Sequence, residues 1–509
     1  MASKRKHKIK APCIAVLGTG SEVGKSVITT ALCRIWSNRG VRVAPFKAQN
    51  MSNNSGVTPE GLEMGRAQIV QAEAAGVPPH VDMNPVLLKP TAGIGSQVVL
   101  LGSVIETRKP GAVHGNNERL FKKACDALDR LRQEYELIIL EGAGSCAEVN
   151  LMAHDIVNFR MAAYADAAIL LVADIDRGGV FAQIIGTLEC LGQNQRARVK
   201  GFIVNRFRGD INLFKDGVRW IEAKTHKPVF GVLPWYSHIQ IESEDSVVIE
   251  SPKKVNVKNS QTPAIAVIRL PHISNFTDFD PLQAINNLEV YFLEKAQDLK
   301  AFKAVILPGS KNTRFDLRWI KSKGWSKRLS EYAATGGHVL GICGGYQLMG
   351  KTVHDPDGLE GKPGSTEGLD LLPIETILKA PKTTTRTKFI WNDIPGAGYE
   401  IHMGQTTREQ SIPLLSIIER NNVACKDDDG CISADSRIMG TYLHGLFDNP
   451  RVIKNWLNHI GIKDIDLSDV GGIEARDKEY DLLADHFEEY VDTRAIDSLI
   501  KNINKDIDA

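Results

Sequence analysis

CIAVLGTGSEVGKSVITTALCRIW, residues 13–36, places a glycine-rich loop between a short apolar run and a longer helical pattern. A loop that binds phosphate needs glycines so that backbone N–H groups can point inward. It also needs a lysine for the β- and γ-phosphates and a serine or threonine hydroxyl for Mg²⁺. Lys25 and Ser26 fit these two roles, and the helix that follows presents its N-terminus to the loop. The stretch therefore predicts an ATP site formed by Thr19, Gly20, Glu22, Val23, Gly24, Lys25 and Ser26.

The loop is one residue longer than the usual phosphate loop. Five residues separate Gly18 from Gly24, whereas the usual spacing has four. This longer loop is similar to that of dethiobiotin synthetase and its relatives. A glycine-rich turn with a chance GKS is the alternative, but the strand before the loop and the helix after it favour nucleotide binding.

Two carboxylates and a second lysine occur where a nucleotide site would use them. Glu141 in LIILEG and Lys47 in APFKAQN each close a predicted strand, and ligand sites of open α/β sheets gather at such strand ends. Glu63 in GLEMGRAQ lies in a connection. Mg²⁺ prefers hard oxygen ligands, so Ser26, Glu63 and Glu141 form a candidate metal set. Taken alone, Glu63 fits a surface carboxylate better, and Lys47 fits a solvated lysine equally well.

Strand and helix patterns alternate in two segments of the 509-residue chain, which is too long for one ordinary core. The polar, lysine-rich stretch ESPKKVNVKNSQTP between them is typical of a linker. We therefore predict two α/β domains with parallel sheets, at residues 1–250 and 263–509, joined by residues 251–262. From about residue 464 onward the pattern is charged and helical, and we expect this terminal segment to pack on the second domain.

A cysteine in the second domain lies at a predicted sharp turn. GHVLGICGGYQLMG, residues 337–350, has the order strand, turn and helix, with Cys343 flanked by glycines. This is the thiol version of a nucleophile elbow, where crowding requires neighbours without side chains. The helix N-terminus favours a thiolate. Cys343 is therefore predicted to be a nucleophile rather than a buried, inert cysteine.

A nucleophilic cysteine needs a base and an oxyanion site. His444 in IMGTYLHGLF closes another apolar strand, so its imidazole can meet Cys343 at the same sheet edge. The backbone N–H groups of Gly344 and of the turn at Gly309 and Ser310 are the candidate oxyanion donors. His402 in GYEIHMG competes as base, but it does not follow a long buried strand, and a substrate-side or structural role is the better prediction.

Composition excludes several function classes. Lys plus Arg (62) and Asp plus Glu (61) nearly cancel, so no global field attracts nucleic acid or an anionic membrane. No run is long and apolar enough for a membrane span, and the basic start leads into the glycine loop without the core of a signal peptide. The eight cysteines include no CxxC pair, so neither a disulfide framework nor a zinc site is indicated. We expect a cytoplasmic protein.

These motifs together resemble the cobyric acid synthase family, glutamine-hydrolysing amidotransferases of cobalamin biosynthesis. The likeness covers nearly the whole chain and rests on specific stretches: GTGSEVGKS, PFKAQNMSNNS, EMGRAQ, EGAGSCAEVNL, HDIVNFRMA, DIDRGGVFAQ, GYEIHMG and GTYLHGLFDN. It implies a dethiobiotin synthetase-like domain followed by a domain similar to class I glutamine amidotransferases. The implied reaction uses ATP, Mg²⁺ and glutamine to amidate the b, d, e and g carboxylates of the corrinoid adenosylcobyrinic acid a,c-diamide.

The resemblance also implies roles for single residues. Cys343 would attack glutamine, and His444 would carry the proton to ammonia. Most class I domains have a Glu two residues after the histidine to orient it, but this chain has Leu446, so a Cys-His dyad is implied. By similarity to dethiobiotin synthetase, Asn205 would bind adenine. The residues expected near the carboxylate substrate are Asp155, Asp174, Asp176 and Arg177, although Asp155 could instead cap a helix and Arg177 could pair with an aspartate.

Two other readings stay open at this point. Cobyrinic acid a,c-diamide synthase has the same two-domain plan with other target carboxylates, although KAQNMSNNS favours the cobyric enzyme. A partitioning-type switch ATPase resembles the nucleotide domain, but those proteins carry a lysine early in the loop, and residues 19–23 here read TGSEV. A homo-oligomer is compatible with all three readings.

Overall fold

The computed structural model describes residues 10–91, 95–108, 117–236, 239, 262–409, 411–463, 465 and 471–508. In the first half of the chain the strands are β1 (Cys13–Gly18), β2 (Val43–Phe46), β3 (Gln49–Met51), β4 (Ser55–Val57), β5 (Glu63–Gly65), β6 (Val86–Thr91), β7 (Gly95–Leu100), β8 (Ser103–Arg108), β9 (Leu137–Glu141), β10 (Ala168–Asp174), β11 (Val199–Phe207) and β12 (Val229–Pro234). The helices of this half are α1 (Lys25–Asn38), α2 (Arg66–Ala74), α3 (Asn117–Glu134), α4 (Phe159–Ala165), α5 (Val180–Cys190), α6 (Gln193–Arg198) and α7 (Lys215–Thr225).

The central sheet of the first domain has the order β12–β11–β10–β1–β9–β2, and every pairing in it is parallel. Its strands are continuous apolar runs because helices cover both faces. In β1, Cys13, Ala15 and Leu17 face one core cluster, whereas Ile14 and Val16 face the other. The predicted parallel α/β sheet is confirmed. The segment between β2 and β9 adds a four-stranded sheet, β3–β6–β7–β8, and the β4–β5 pair.

The second half contains β13 (Ala264–Ile268), β14 (Ile273–Ser274), β15 (Glu289–Leu293), β16 (Ala304–Leu307), β17 (Gly309–Ser310), β18 (His338–Ile342), β19 (Thr352–Asp355), β20 (Gly364–Glu367), β21 (Ile374–Trp391), β22 (Ile394–Arg408), β23 (Leu415–Arg420), β24 (Val423–Asp429), β25 (Cys431–Ile432) and β26 (Ile438–Thr441). Its helices are α8 (Asp280–Gln283), α9 (Thr313–Ser322), α10 (Trp325–Ala334), α11 (Gly344–Leu348), α12 (Pro450–His459), α13 (Gly472–Tyr490) and α14 (Thr493–Asp508).

The second domain also has a six-stranded sheet, in the order β15–β13–β16–β18–β26–β25. All its pairings are parallel except that of the short edge strand β25. Beside it lies an antiparallel-rich sheet, β20–β19–β21–β23–β24, in which β22 pairs with β21 as a long hairpin. The sequence analysis did not identify this second sheet. The α/β class of this domain is nevertheless confirmed.

The C-terminal helices pack on the first domain, so the expectation that they pack on the second is wrong. Tyr480, Leu483 and Phe487 of α13 belong to the core cluster that also contains Ile28 and Ile35 of α1. Ion pairs surround this contact: Arg34 Nε to Asp481 at 2.7 Å, and Arg39 Nη1 to Asp497 at 2.8 Å. The outer face of α1 is apolar, and α13 and α14 bury it. The last segment of the chain therefore closes the first domain.

Among the described residues, no helix has both the length and the apolar character needed to cross a bilayer.

Candidate active sites

The glycine loop connects β1 to α1, as predicted. Gly24 has φ of 100°, a left-handed conformation, and a Cβ at this position would lie 2.1 Å from Asn205 Nδ2. Only glycine fits both constraints. Lys25 Nζ donates hydrogen bonds to the carbonyls of Gly20 and Gly144, both at 2.9 Å, so its ammonium lies across the mouth of the loop. This position suits a lysine that neutralises phosphate charge.

Glu141 organises the polar side chains beside this loop. Ser26 Oγ donates to Glu141 Oε1 at 2.8 Å, and Lys47 Nζ donates to the same oxygen at 2.9 Å. Two amides of α2 reach the other oxygen: Gln71 Nε2 at 2.5 Å and Gln68 Nε2 at 3.4 Å. Glu141 is buried at the end of β9. The structure therefore brings together Ser26, Lys47 and Glu141.

Glu63 lies elsewhere, in β5 rather than in a connection. Its carboxylate accepts hydrogen bonds from Lys89 Nζ at 2.7 Å and from Lys382 Nζ at 2.6 Å. Burial raises the pKa of Glu63, but the two ammonium groups outweigh burial and hold the pKa below its usual range. Lys382 belongs to the second domain, so this ion cluster joins the domains. The described residues contain no group of three His, Cys, Asp or Glu side chains able to hold a metal. Because Glu63 is paired with two lysines, its part in a metal set with Ser26 and Glu141 stays a prediction.

A cleft of ≈980 Å³ opens beside the loop. Lys25, Ser26 and Lys47 line it, as do Glu22 and Gly24 of the predicted ATP loop. Three of the predicted substrate-side residues also line it: Asp155, Asp176 and Arg177. Asp155 accepts the backbone N–H groups of Val157 and Asn158, which closes the turn before α4, whereas the N-cap of that helix is Asn158. Contact of Asp155 with a substrate stays a prediction. The cleft has room for a nucleotide and part of a second substrate.

The other predicted residues of this half make polar contacts in or near the loop. Arg177 Nη2 pairs with Glu22 at 2.5 Å, and the buried Asp174 pairs with Arg206 at 2.9 Å. Asn205 is buried, and its Nδ2 donates to the carbonyl of Val23 at 2.9 Å. Thr19 Oγ1 donates to Gln183 at 3.3 Å. Contact of Asn205 with adenine stays a prediction.

Cys343 lies at a strained turn between β18 and α11. Its φ is 51° and its ψ is −109°, a conformation that residues with a side chain rarely adopt. A Cβ on Gly344 would lie 2.5 Å from the Ser310 backbone nitrogen, and one on Gly345 would lie 1.9 Å from the Leu307 carbonyl oxygen. The neighbours must therefore be glycines for the elbow to pack against the end of β16. Such strain is typical of a nucleophile elbow.

His444 follows β26 and reaches this elbow, as predicted. Its Nδ1 lies 2.6 Å from Asp278 Oδ2, and both His444 and Cys343 line the same small cavity. The Cys343 Sγ donates to the carbonyl of Ile401 at 3.6 Å. Burial lowers the pKa of His444, but the charge of Asp278 and the contact with Cys343 raise it well above its usual value. The ring of Tyr399 stacks on the imidazole with centroids 5.3 Å apart. Cys343, His444 and Asp278 therefore have the arrangement of a catalytic triad.

Asp278 is the functional residue that the sequence analysis missed. It lies in the short 3₁₀ turn Phe276–Phe279, and its second oxygen accepts the Gly445 N–H at 3.0 Å. The carboxylate thus supplies the orienting group that Leu446 cannot supply. No short motif indicated it, because 166 positions separate Asp278 from His444.

The predicted oxyanion turn packs directly on the elbow. β17 pairs with β14, the strand just before the Asp278 turn. Ser310 Oγ donates to Asp316 Oδ2 at 2.6 Å, and Asp316 in turn lies 2.8 Å from His272 Nδ1. A Cβ on Gly309 would lie 3.0 Å from His444 Cε1. Gly309, Ser310 and Gly344 thus surround the thiol, and their role as oxyanion donors stays a prediction.

A small cavity of ≈60 Å³ lies beside Cys343 and His444. His402 lines it, stacks on Tyr442 with centroids 3.7 Å apart and lies 3.3 Å from Glu400 through Nε2. The first domain also contributes to the cavity wall, with Lys89 and Gln97. The pocket of the thiol is thus closed by both domains.

Comparison with known proteins defines the class. Residues 14–248 match the model of the CobQ/CobB/MinD/ParA nucleotide binding domain, and residues 264–452 match that of the CobB/CobQ-like glutamine amidotransferase domain. The chain is a glutamine-dependent amidotransferase with a nucleotide-binding domain.

Full-length relatives narrow the class to one family. Cobyric acid synthase of Chlorobium phaeobacteroides (strain BS1) is 52% identical over 480 residues, which cover 93% of this chain and 96% of the relative. Cobyric acid synthase of Chlorobaculum tepidum is 49% identical, covering 94% and 96%. The chain belongs to the cobyric acid synthase family. A solved glutamine amidotransferase from Thermotoga maritima, 14% identical, covers 45% of this chain and 96% of its own with a TM-score of 0.27, too low to add to this assignment.

Proposed function

We propose that the chain converts adenosylcobyrinic acid a,c-diamide into adenosylcobyric acid by amidating the b, d, e and g carboxylates, with ATP as energy source and glutamine as nitrogen donor. The proposal is supported by relatives named cobyric acid synthase that match nearly the full chain. The contact between Asp278 and His444 at the elbow of Cys343 is the observation that carries the glutaminase half. The cleft at the glycine loop supports the synthetase half.

Glutamine hydrolysis begins at the thiol. The Cys343 sulfur attacks the carboxamide carbon of glutamine, and His444 takes the thiol proton through its Nε2. Asp278 holds Nδ1, which fixes the tautomer and stabilises the imidazolium. The backbone N–H of Gly344 and the turn at Gly309 stabilise the oxyanion. His444 then protonates the leaving nitrogen, ammonia departs, and water hydrolyses the γ-glutamyl thioester to glutamate and free thiol.

The first domain activates the acceptor acid. A corrinoid carboxylate attacks the γ-phosphate of ATP, giving an acyl phosphate and ADP, while Lys25 offsets the phosphate charge. Ser26 and Glu141 present hard oxygens side by side, a donor set that suits Mg²⁺, so these two residues would hold the ion. When bound, Mg²⁺ neutralises charge on the phosphates. Ammonia then displaces phosphate from the acyl carbon, and the acid becomes an amide.

Product mass decides between this reaction and its nearest rival. Purified protein is incubated with ATP, Mg²⁺, glutamine and either cobyrinic acid or its a,c-diamide, and the corrinoid products are weighed by mass spectrometry. Four amidations of the a,c-diamide are expected. Two amidations of cobyrinic acid, with the a,c-diamide left unchanged, would identify a cobyrinic acid a,c-diamide synthase instead.

The division of labour has its own test. Cys343→Ala should abolish glutamine-driven synthesis, because the thiol is gone, while free ammonia should still support it in the first domain. Synthesis is measured with both nitrogen sources in the same preparation. Equal loss with glutamine and with ammonia would contradict the assignment of Cys343.

A further inference from the structure

The turn that carries Asp278 is attached to the first domain by buried hydrogen bonds. Thr277 Oγ1 donates to Asn54 Oδ1 at 3.2 Å, and the backbone N–H of Ser55 donates to Asn275 Oδ1 at 3.1 Å. All four residues are at least nine-tenths buried. Asn54 and Ser55 end the segment KAQNMSNNS, and neither residue has a role in the reactions described above. The contact therefore needs an explanation of its own.

Asn275 links this attachment to both neighbours of the His444 imidazole. Its carbonyl accepts the Asp278 N–H at 3.0 Å, which closes the turn. Its Nδ2 donates to the Tyr399 hydroxyl at 3.2 Å, and the Tyr399 ring stacks on His444. A shift of Asn275 would thus move two groups together: the Asp278 carboxylate at His444 Nδ1 and the Tyr399 ring on the face of the imidazole.

The first-domain end of the contact leads back to the nucleotide site. The carbonyl of Asn54 accepts the N–H of Arg66, the first residue of α2, at 3.1 Å. Further along α2, Gln68 and Gln71 donate to Glu141, which accepts from Ser26 of the glycine loop. Hydrogen bonds, joined through the backbone of α2 and of the Asn275–Asp278 turn, therefore connect the glycine loop to the imidazole.

We propose that Asn54 and Ser55 are positioning residues for glutamine hydrolysis: the first domain holds the turn of Asp278 so that this carboxylate orients His444. The inference rests on the proposed role of Cys343 and His444 as the glutaminase centre. The second domain supplies the nucleophile and the base. The first domain supplies the hydrogen bonds that hold the Asp278 turn, and this turn keeps the base aligned. Ammonia release thus depends on correct docking of the domain that consumes ammonia.

The bond between Asn54 and Thr277 joins two side chains across the domains, so a double-mutant cycle isolates it. The variants are Asn54→Ala, Thr277→Val and the double variant, with Thr277→Ser as the conservative rescue. Each single variant should lower kcat for glutamine hydrolysis roughly 10- to 100-fold, because a misplacement of about 1 Å can cost on the order of 10²-fold. The double variant should lose no more than either single one, and Thr277→Ser should restore activity.

Three further readouts separate positioning from general damage. KM for glutamine and ammonia-driven synthesis should stay near wild type, because neither uses Asp278. The limb of the pH profile that reports His444 should move to lower pH, because the Asp278 carboxylate raises the pKa of that histidine. Thr335→Val on the exposed end of α10 is the matched control and should change none of these.

Wild-type kcat in both single variants, additive losses in the double variant, or equal loss of glutamine-driven and ammonia-driven synthesis would each overturn the inference. Failure of the proposed function is recognised separately with Cys343→Ala. If Cys343→Ala abolishes glutamine hydrolysis while Asn54→Ala keeps wild-type kcat and pH profile, the proposed function stands and only the positioning role of the first domain is lost.

Discussion

At the scale of single residues, the carboxylate of Asp278 orients the His444 imidazole. No residue next to His444 in the sequence fills this role. Asp278→Asn keeps the shape of the side chain but removes the charge that stabilises the imidazolium. We expect kcat for glutamine hydrolysis to fall by about 10²–10⁴-fold, the range for general acid–base groups, with little change in KM. Steady-state kinetics with glutamine measures this, and ammonia-driven synthesis should continue.

Asp298→Asn, a change at a carboxylate outside both sites, is the control for that experiment and should leave the kinetics unchanged. Because Asp278 raises the pKa of His444, its removal should also shift the His444 limb of the pH profile toward acid. A Asp278→Asn variant with wild-type kcat and an unmoved limb would show that the imidazole is oriented by other contacts.

The residues of the two sites differ in how far sequence could identify them. Cys343 and Lys25 could be identified because each lies in a short motif. In each motif the turn, the glycines and the following helix are contiguous in the sequence. Asp278 and His444 meet only through the fold, from the two ends of the second domain. Glu63 shows the converse: its carboxylate fits a metal ligand by type, but its two lysine partners come from β6 and from the second domain and are not evident from the sequence around it.

At the scale of elements, β5, β6 and β21 meet at one buried ion cluster. Glu63→Gln leaves the Lys89 and Lys382 ammonium groups facing a neutral amide, and such a change costs about 3–5 kcal/mol of unfolding free energy. Because the folded-state pKa of Glu63 is lowered, the stabilisation is present at neutral pH and is lost only as the pH falls below the unfolded value. Denaturant unfolding at neutral and acid pH measures it.

The matched control for this cluster is Glu409→Gln. The Glu409–Lys351 pair is exposed, so its loss should change the unfolding free energy little. Magnesium titrations add a second comparison: Glu141→Gln should raise the Mg²⁺ concentration needed for ammonia-driven synthesis, since Glu141 adjoins Ser26. If Glu63→Gln raised the required Mg²⁺ concentration as much as Glu141→Gln does, without loss of stability, Glu63 would be a metal ligand after all.

The C-terminal helix α13 should stabilise the first domain, not the second. Phe487 is buried between α13 and the sheet, and Phe487→Ala should lower the unfolding free energy by about 3–5 kcal/mol. Leu482→Ala, at an exposed position of the same helix, should change it little. Calorimetry monitors both variants. A destabilised second domain with an unchanged first domain would contradict the packing described here.

Sequence predicted the helical character of this segment but not its partner. The spacing of apolar residues in α13 indicates one buried face, whereas the surface that accepts that face depends on the outer side of α1, more than four hundred residues earlier. The six strands of the first sheet and four strands of the second (β13, β16, β18 and β26) were predictable because each is a contiguous apolar run. The threonine-rich strand β21 of the hairpin β21–β22 mixes polar and apolar residues and has no contiguous apolar run. The sequence analysis therefore did not predict this hairpin.

At the scale of the whole molecule, the cavity beside Cys343 is lined by Lys89 and Gln97 of the domain that would consume ammonia. The sequence could not indicate this, because the cavity exists only where the two domains meet.

Mixing two defective enzymes tests whether the molecule works as one unit. Lys25→Ala should lose synthesis with either nitrogen source because phosphate charge is not neutralised, but it should still hydrolyse glutamine. Cys343→Ala should retain only ammonia-driven synthesis. A mixture of the two, supplied with glutamine and an enzyme that traps free ammonia, should therefore make almost no amide, whereas wild type under the same trap should keep most of its rate. Amide formation by the mixture at the wild-type rate would mean that ammonia passes through solvent and that the shared cavity serves only to bind glutamine.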